Sequence, residues 1–309
     1  MKPLHGTRIA IIGAGLAGIA AAREFDKSGA SVTIFEKSRG LGGRCASKRW
    51  EGHIVDHGAQ YFTIRDESFR SAVESACGER LRRIAAPVFT EVGETLPDDG
   101  RWFHDEGNSR LVRDLAGGLE VRLETTVADA SSLLRRNGGD FDQVVSTAPW
   151  PQTARLFGLE PSDDYLPCLT VLFAYRGEWS GRTREAYAHS DTSSPLAWTA
   201  CENHKPGRVT GGFTVVVAHG SETFSREYLE RPLDEYPDLI RARVEERWEL
   251  SPGDLVASLG HRWRYARVAN PFPAPDLPDG LHFVGDALRS SRVEDAWLAG
   301  HEFARRAFL

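Results

Sequence analysis

The sequence predicts an α/β protein: a Rossmann-like domain with a second domain built on a mostly antiparallel sheet plus helices. Three observations predict it. A β-branched run at Ile9 to Ile12 leads into Gly13, Gly15 and Gly18, a G-x-G-x-x-G turn, and then into a helix-like stretch from Leu16 to Ser28. Val32 to Glu36 reads as the next strand, which completes a βαβ unit. Far downstream, Cys168 to Tyr175 and Arg208 to Ala218 alternate or run apolar, as the strands of a second sheet do.

The glycine turn meets three physical requirements in order. Gly13 permits the tight turn, Gly15 lets a pyrophosphate approach the backbone, and Gly18 lets the helix pack on the strand. Leu16 and Ala17 open a helix whose free N–H groups point at phosphates. Glu36 lies close to the ~20-residue distance at which an acid binds a ribose hydroxyl. Its charge would repel a 2′-phosphate, so the ligand is FAD or NAD rather than NADP. Lys37 and, further on, Val127 are expected to border the same ligand.

The remaining elements follow in chain order. Phe69 to Arg83 reads as a helix, Val88 to Thr95 as a strand and Asn108 to Leu115 as a short helix. Glu120 to Val127 and Phe141 to Ser146 read as strands, Leu239 to Leu250 as a helix, and Val256 to Arg267 as a strand. A proline-rich loop (Pro271, Pro273, Pro275, Pro278) precedes a strand from Leu281 to Val284 and a final helix. Residues 1–62, 105–150 and 258–309 are therefore expected to form a discontinuous nucleotide domain. Residues 63–104 and 151–257 are expected to form the second, substrate domain.

Composition narrows the partners. The net charge is −6 with a pI near 6.0, and no basic patch suggests nucleic acid or an anionic membrane. Cys45, Cys77, Cys168 and Cys201 are scattered, with no metal-ligand spacing and no disulfide framework, so a reducing cytoplasm is the expected home. No stretch reaches the ~20 apolar residues of a membrane span. Lysine occurs only at Lys2, Lys27, Lys37, Lys48 and Lys205.

The loop Ser38-Arg39-Gly40-Leu41-Gly42-Gly43-Arg44 resembles the second glycine motif of the flavin amine oxidase superfamily. That resemblance favours FAD and implies that Gly43 and Arg44 run beside its pyrophosphate and ribityl chain. Leu281 to Asp286 resembles the late motif of glutathione-reductase-type flavoproteins, which implies that Gly285 and Asp286 meet the ribityl hydroxyls. Ser291 is a plausible N-cap of the last helix. In the superfamily this helix start faces the flavin pyrimidine edge, which brings in Arg292, Val293, Glu294 and Ala296. FAD attachment is expected to be non-covalent, since no cysteine follows Cys201.

Four further blocks are similar to the renalase family. They are Asp56-His57-Gly58-Ala59-Gln60-Tyr61-Phe62-Thr63, Ser146 to Gln152, Pro195 to Trp198, and His261-Arg262-Trp263-Arg264-Tyr265-Ala266-Arg267 with the late Gly285-Asp286 and Arg292 to Trp297. Gly58, Ala59 and Gln60 are thereby implied on the flavin side. The chain departs from relatives at Ala287-Leu288, where a Trp and a Cys are usual.

The resemblance implies an FAD-dependent oxidase of isomeric dihydronicotinamide dinucleotides, the 2- and 6-dihydro forms of NAD(P)H. Hydride would pass to flavin N5, and O2 would reoxidise the flavin, giving NAD(P)+ and hydrogen peroxide. Such chemistry needs stacking and orientation rather than a nucleophile. His261, Trp263, Tyr61, Gln60, Trp198 and Asn203 are the candidates for the pocket wall, with His261 and Asn203 holding a carboxamide. The alternatives are a flavin amine oxidase and a non-catalytic FAD-binding sensor. An amine oxidase commonly uses a lysine near the flavin, and Lys205 reads as a solvated loop residue.

Overall fold

The run around Ile9 becomes the central strand of a five-stranded parallel sheet. Its order is Leu281–Phe283, Gln143–Ser146, Arg8–Ile12, Ser31–Phe35, Glu120–Arg122. A parallel sheet is buried on both faces, and side-chain alternation assigns each face its own core. Ile9 and Ile11 pack with the helices Leu16–Lys27 and Val293–Arg306, while Ala10 and Ile12 pack with Trp150, Ala154 and Phe157 on the other side. The two helices touch at Gly300, where a Cβ would stand 2.0 Å from the Ala17 carbonyl oxygen. The computed structural model describes residues 3–161, 165–191 and 195–307. Residues 1, 2, 308 and 309, expected in the nucleotide domain, and 162–164 and 192–194, expected in the second, lie outside it.

The second sheet has six strands in the order Leu255–Val268, Tyr165–Arg176, Phe213–Gly220, Leu196–Cys201, Ala188–Ser190, Val88–Thr90. It is antiparallel except for the last pair, as its alternating pattern predicts. One face carries Val171, Phe173 and Tyr175 under the helix Tyr236–Trp248. The other carries Leu172, Ala174, Val215 and Val217 against Val55 of the hairpin Ser47–Trp50/His53–Asp56. That second face looks toward the nucleotide domain.

The structure moves two domain boundaries. Strand Leu255–Val268 pairs along its length with Tyr165–Arg176, so residues 258–268 belong to the second sheet rather than to the nucleotide domain. Helix Glu67–Cys77 lies in the stretch assigned to the second domain. Its buried residues Phe69, Val73 and Cys77 share a core with Ile9, Leu111 and Trp297 instead.

Several elements are shorter than their patterns suggest. The helix expected to reach Arg83 stops at Cys77, because Gly78 at φ +53° turns the chain and strand Leu81–Arg83 follows. The strand from Glu120 ends at Arg122, where Glu124 takes φ +52° and the Thr125 N–H donates to the Glu36 carbonyl. Ser291 does not cap the last helix. Arg292 is the capping position, and Ser291 Oγ accepts the Val268 N–H at 2.6 Å, tying the helix start to the second sheet.

Candidate active site

The glycine turn has the form its residue types require. Gly13 sits at φ +107° and donates its N–H to Phe35 O at 2.8 Å. A Cβ on Gly18 would stand 2.1 Å from Gly13 O, which is the close helix–strand packing that excludes any side chain. Gly15 is different: a Cβ there would meet open space. Glu36 is 8% exposed, and its two carboxylate oxygens accept from Ala14 N at 2.9 Å and Ser38 N at 2.8 Å. These bonds fix the carboxylate at the edge of the cavity and leave further lone pairs for hydroxyl donors.

Arg44 and Asp286, both expected along the ribityl chain, contact each other directly. The guanidinium nitrogens lie 2.6 and 2.8 Å from the two carboxylate oxygens, a bidentate pair spanning 242 residues of sequence. This fork joins the early glycine loop to the late strand end and closes the discontinuous domain around one space.

That space is a cavity of about 1580 Å³. It exceeds the ~300–1,000 Å³ of a usual small-molecule pocket and leaves room for a dinucleotide and a second ligand. Gly13, Gly15, Leu16, Ala17, Glu36, Lys37, Gly43, Arg44, Gly58, Ala59, Gln60 and Val127 border it. So do Gly285, Asp286, Arg292, Val293 and Ala296. Two of the expected cofactor residues do not. Gly18 is consumed by packing, and Glu294 Oε1 accepts Arg65 N and Asp66 N, each at 2.7 Å, anchoring a loop behind the wall.

At the other end, sheet register builds the wall. His261 and His219 both stand opposite Thr170, and His219 stands opposite Trp198, so these four residues form one row across the second sheet. The next row places Trp263 opposite Cys168. His57 completes the cluster, its ring centroid 4.6 Å from His261 and its carbonyl accepting the Trp263 indole N–H at 2.9 Å. Trp198 Nε1 donates to Gln60 Oε1 at 2.5 Å, and Tyr61 lies 5.9 Å from the Trp198 ring.

Four polar atoms of this wall are buried without partners: His57 Nδ1, His219 Nε2, His261 Nε2 and Gln60 Nε2. Unpaired buried polar atoms are rare, and several on one cavity wall await a ligand's donors and acceptors. Burial, with the nearby His261 and Lys48 charges adding to it, pushes His57 down to about 3. Burial also pushes His261 and His219 down to about 4, with Lys48 contributing at His261. All three imidazoles are neutral at pH 7.

Asn203 is not in this wall. Its amide donates to Phe213 O at 2.8 Å and accepts Val215 N at 3.0 Å, so it ties the turn after strand Leu196–Cys201 to strand Phe213–Gly220. His219 was missed because it ends a valine-rich strand, Phe213–Gly220, that reads as pure core. Only the pairing register reveals which face it shares with His261.

Lys205 is the clearest correction. It is fully buried, with Nζ 2.9 Å from Asp56 Oδ2 and 2.6 Å from Glu202 Oε1. Arg208 NH2 lies 2.9 Å from the same Asp56 oxygen. Burial works against the Asp56 charge, but Arg208 and Lys205 outweigh it and hold its carboxyl well below the usual carboxylate range. Two buried cations and two buried anions thus balance directly behind the 57–61 segment. A second cluster, Cys77, His104 and Asp114, has the residue types of a metal site. Its histidine is committed: His104 Nδ1 accepts Glu106 N at 3.1 Å, which leaves Nε2 to donate to Asp114 at 3.1 Å.

Comparison with known proteins starts from the first βαβ unit. Residues 11–74 match the NAD(P)-binding Rossmann-like domain family. The fold is similar to that of solved oxidoreductases, a likeness seen at low sequence identity. Particular relatives follow. Protoporphyrinogen oxidase 2 of Arabidopsis thaliana is 38% identical over 74 residues, 24% of this chain and 15% of that protein. Phytoene desaturase of Fusarium fujikuroi is 24% identical over 58% of this chain and 32% of its own length. The aligned part therefore spans a third or less of either relative. Among solved structures, an oxidoreductase from Methanosarcina mazei superposes with a TM-score of 0.72 at 14% identity, covering 97% of this chain and 100% of that one. A putrescine oxidase double mutant superposes with a TM-score of 0.69 at 12% identity, covering 97% and 98%.

The residues present fit FAD. Gly15 and Gly285 open onto space that a Cβ would fill, Glu36 is held ready for hydroxyl donors, and the helix start at Leu16 faces the cavity.

Proposed function

We propose that this protein is an FAD-dependent oxidase of isomeric dihydronicotinamide dinucleotides, as the renalase-like blocks of its sequence imply. The observation that carries the reading is the wall of neutral, unpartnered imidazoles, His57, His219 and His261, beside the Gln60 amide and the aromatic Trp198 and Trp263. Such a wall suits an uncharged planar ring bearing a carboxamide. Bound FAD supplies the two-electron acceptor and its reoxidation by O2 to hydrogen peroxide. The Gly13–Gly18 turn, Glu36 and the Arg44–Asp286 fork would hold it.

The chain's own contribution is positioning. Trp198 and Trp263 offer faces for stacking, while the imidazoles and Gln60 offer donors and acceptors to fix the ring's orientation. The product ring is aromatic, so no strong base is required, and the low proton affinity of the histidines fits that need. In place of Asn203, His57 or Gln60 takes the carboxamide beside His261. The wall matches no amine oxidase arrangement built on Lys205, because that ammonium is locked by Asp56 and Glu202. The test is peroxide formation in air. Borohydride-reduced NAD, which contains the 2- and 6-dihydro isomers, should give peroxide equal to the isomer consumed. Peroxide from putrescine-like amines and none from that mixture would overturn the reading.

A further inference from the structure

The cavity is basic although the protein is acidic. Twelve Lys and Arg residues border it against four Asp and Glu, Glu36, Glu106, Glu222 and Asp286. All four acids are engaged. Glu36 accepts two backbone N–H groups, Glu106 pairs with Arg80 and Arg110, Glu222 with Arg226, and Asp286 with Arg44. Most of the cations have no carboxylate partner among the described residues. A single dinucleotide brings about two negative charges at its pyrophosphate, and the glycine turn and helix start already address those. Some of the surplus cations border the rest of the space.

Their placement is uneven. Lys37 and Arg39 follow Glu36 at the cofactor's end. Lys48 is on the hairpin strand Ser47–Trp50, opposite Val55, which lies two residues before His57. Arg267 is near the end of strand Leu255–Val268, opposite Leu166, on the strand that carries His261 and Trp263. Both are exposed, both border the cavity, and neither has an anionic partner among the described residues. Lys48 is also close enough to depress the proton affinity of His57 and His261.

We propose that Lys48 and Arg267, which flank the histidine and tryptophan rows, form an anion subsite that takes the pyrophosphate of the second, reacting dinucleotide. The proposal rests on the reading above for the identity of the phosphate carrier. It assigns the specificity for a phosphorylated substrate to two residues outside the glycine turn. It also explains why a cation-rich cavity sits in a chain of net charge −6.

The test uses the FAD-loaded protein and ADP-ribose, which carries the pyrophosphate but no nicotinamide ring. Binding is read from the perturbation of the flavin visible spectrum. The double variant Lys48→Gln/Arg267→Gln should retain FAD, weaken ADP-ribose binding at least tenfold, and flatten the salt dependence of binding. Arg39→Gln, on the cofactor side, should leave ADP-ribose binding unchanged. Equal binding by wild type and the double variant, or no binding by wild type at millimolar ADP-ribose, would overturn the subsite. Loss of ADP-ribose binding in the double variant, in a protein that no dihydronicotinamide reduces, would uphold the subsite and sink only the proposed substrate.

Discussion

His261 shows what one residue can and cannot reveal. Its place in the block His261 to Arg267 marked it as a pocket residue, and the structure puts its buried Nε2 on the cavity wall without a partner. Truncation to alanine removes one hydrogen-bonding group from the proposed substrate, a loss of about 1–3 kcal/mol. We expect His261→Ala to slow anaerobic flavin reduction by ~10–100-fold while FAD stays bound. An unchanged reduction rate would remove His261 from the site. Asn203 and Lys205 were misread in different ways. Asn203, expected in the pocket wall, bonds Phe213 and Val215, 10 and 12 residues on, while Lys205, expected in solvent, is held by nearby Glu202 and by Asp56, 149 residues away. Local composition carries no trace of a partner that distant.

At the scale of elements, the nucleotide-binding half was legible because its requirements are local. The tight turn, the helix start and the acid at the strand end fall within 9–44, and the helix Asn108–Leu115 has the bounds its pattern suggests. The second domain was legible only as strands. Which strands neighbour each other, and therefore that His261, Thr170, His219 and Trp198 form one row, depends on register that no single strand encodes. The boundary errors at 258 and 63 have the same origin, since membership of a sheet or a core is a tertiary property. Helix packing gives a sharp test at this scale. Gly300 lets the last helix touch Ala17, where a Cβ would stand 2.0 Å from a backbone oxygen. Backbone cannot swing aside as a side chain can, so Gly300→Val should destabilise the fold by about 1–3 kcal/mol and loosen FAD. A melting temperature equal to wild type would refute the close packing.

For the whole molecule, buried charge and buried neutrality set the response to pH. His57, His189, His219 and His261 are held at about 3 to 4, against an ordinary value of 6.5. Between those values the unfolded chain binds more protons than the folded one, so stability rises with pH. The contribution is fully present above 6.5 and is lost as the pH falls toward 4. Asp56, held low by Arg208 and Lys205, adds a contribution that disappears only in stronger acid. The denaturant midpoint should therefore fall steadily from pH 7 to pH 4, and a flat profile would contradict the buried neutral histidines. Among the described residues no helix is long and apolar enough to cross a membrane. The basic cavity, the row of neutral imidazoles and the two-part FAD cradle converge on one space, which is the central claim.

The most direct test of that claim is the anaerobic flavin spectrum during addition of borohydride-reduced NAD, with enzymatically made 4-NADH as the control. Fast bleaching by a minor component of the mixture is expected, and none on the same timescale by 4-NADH. An FAD-loaded protein bleached by neither would contradict it.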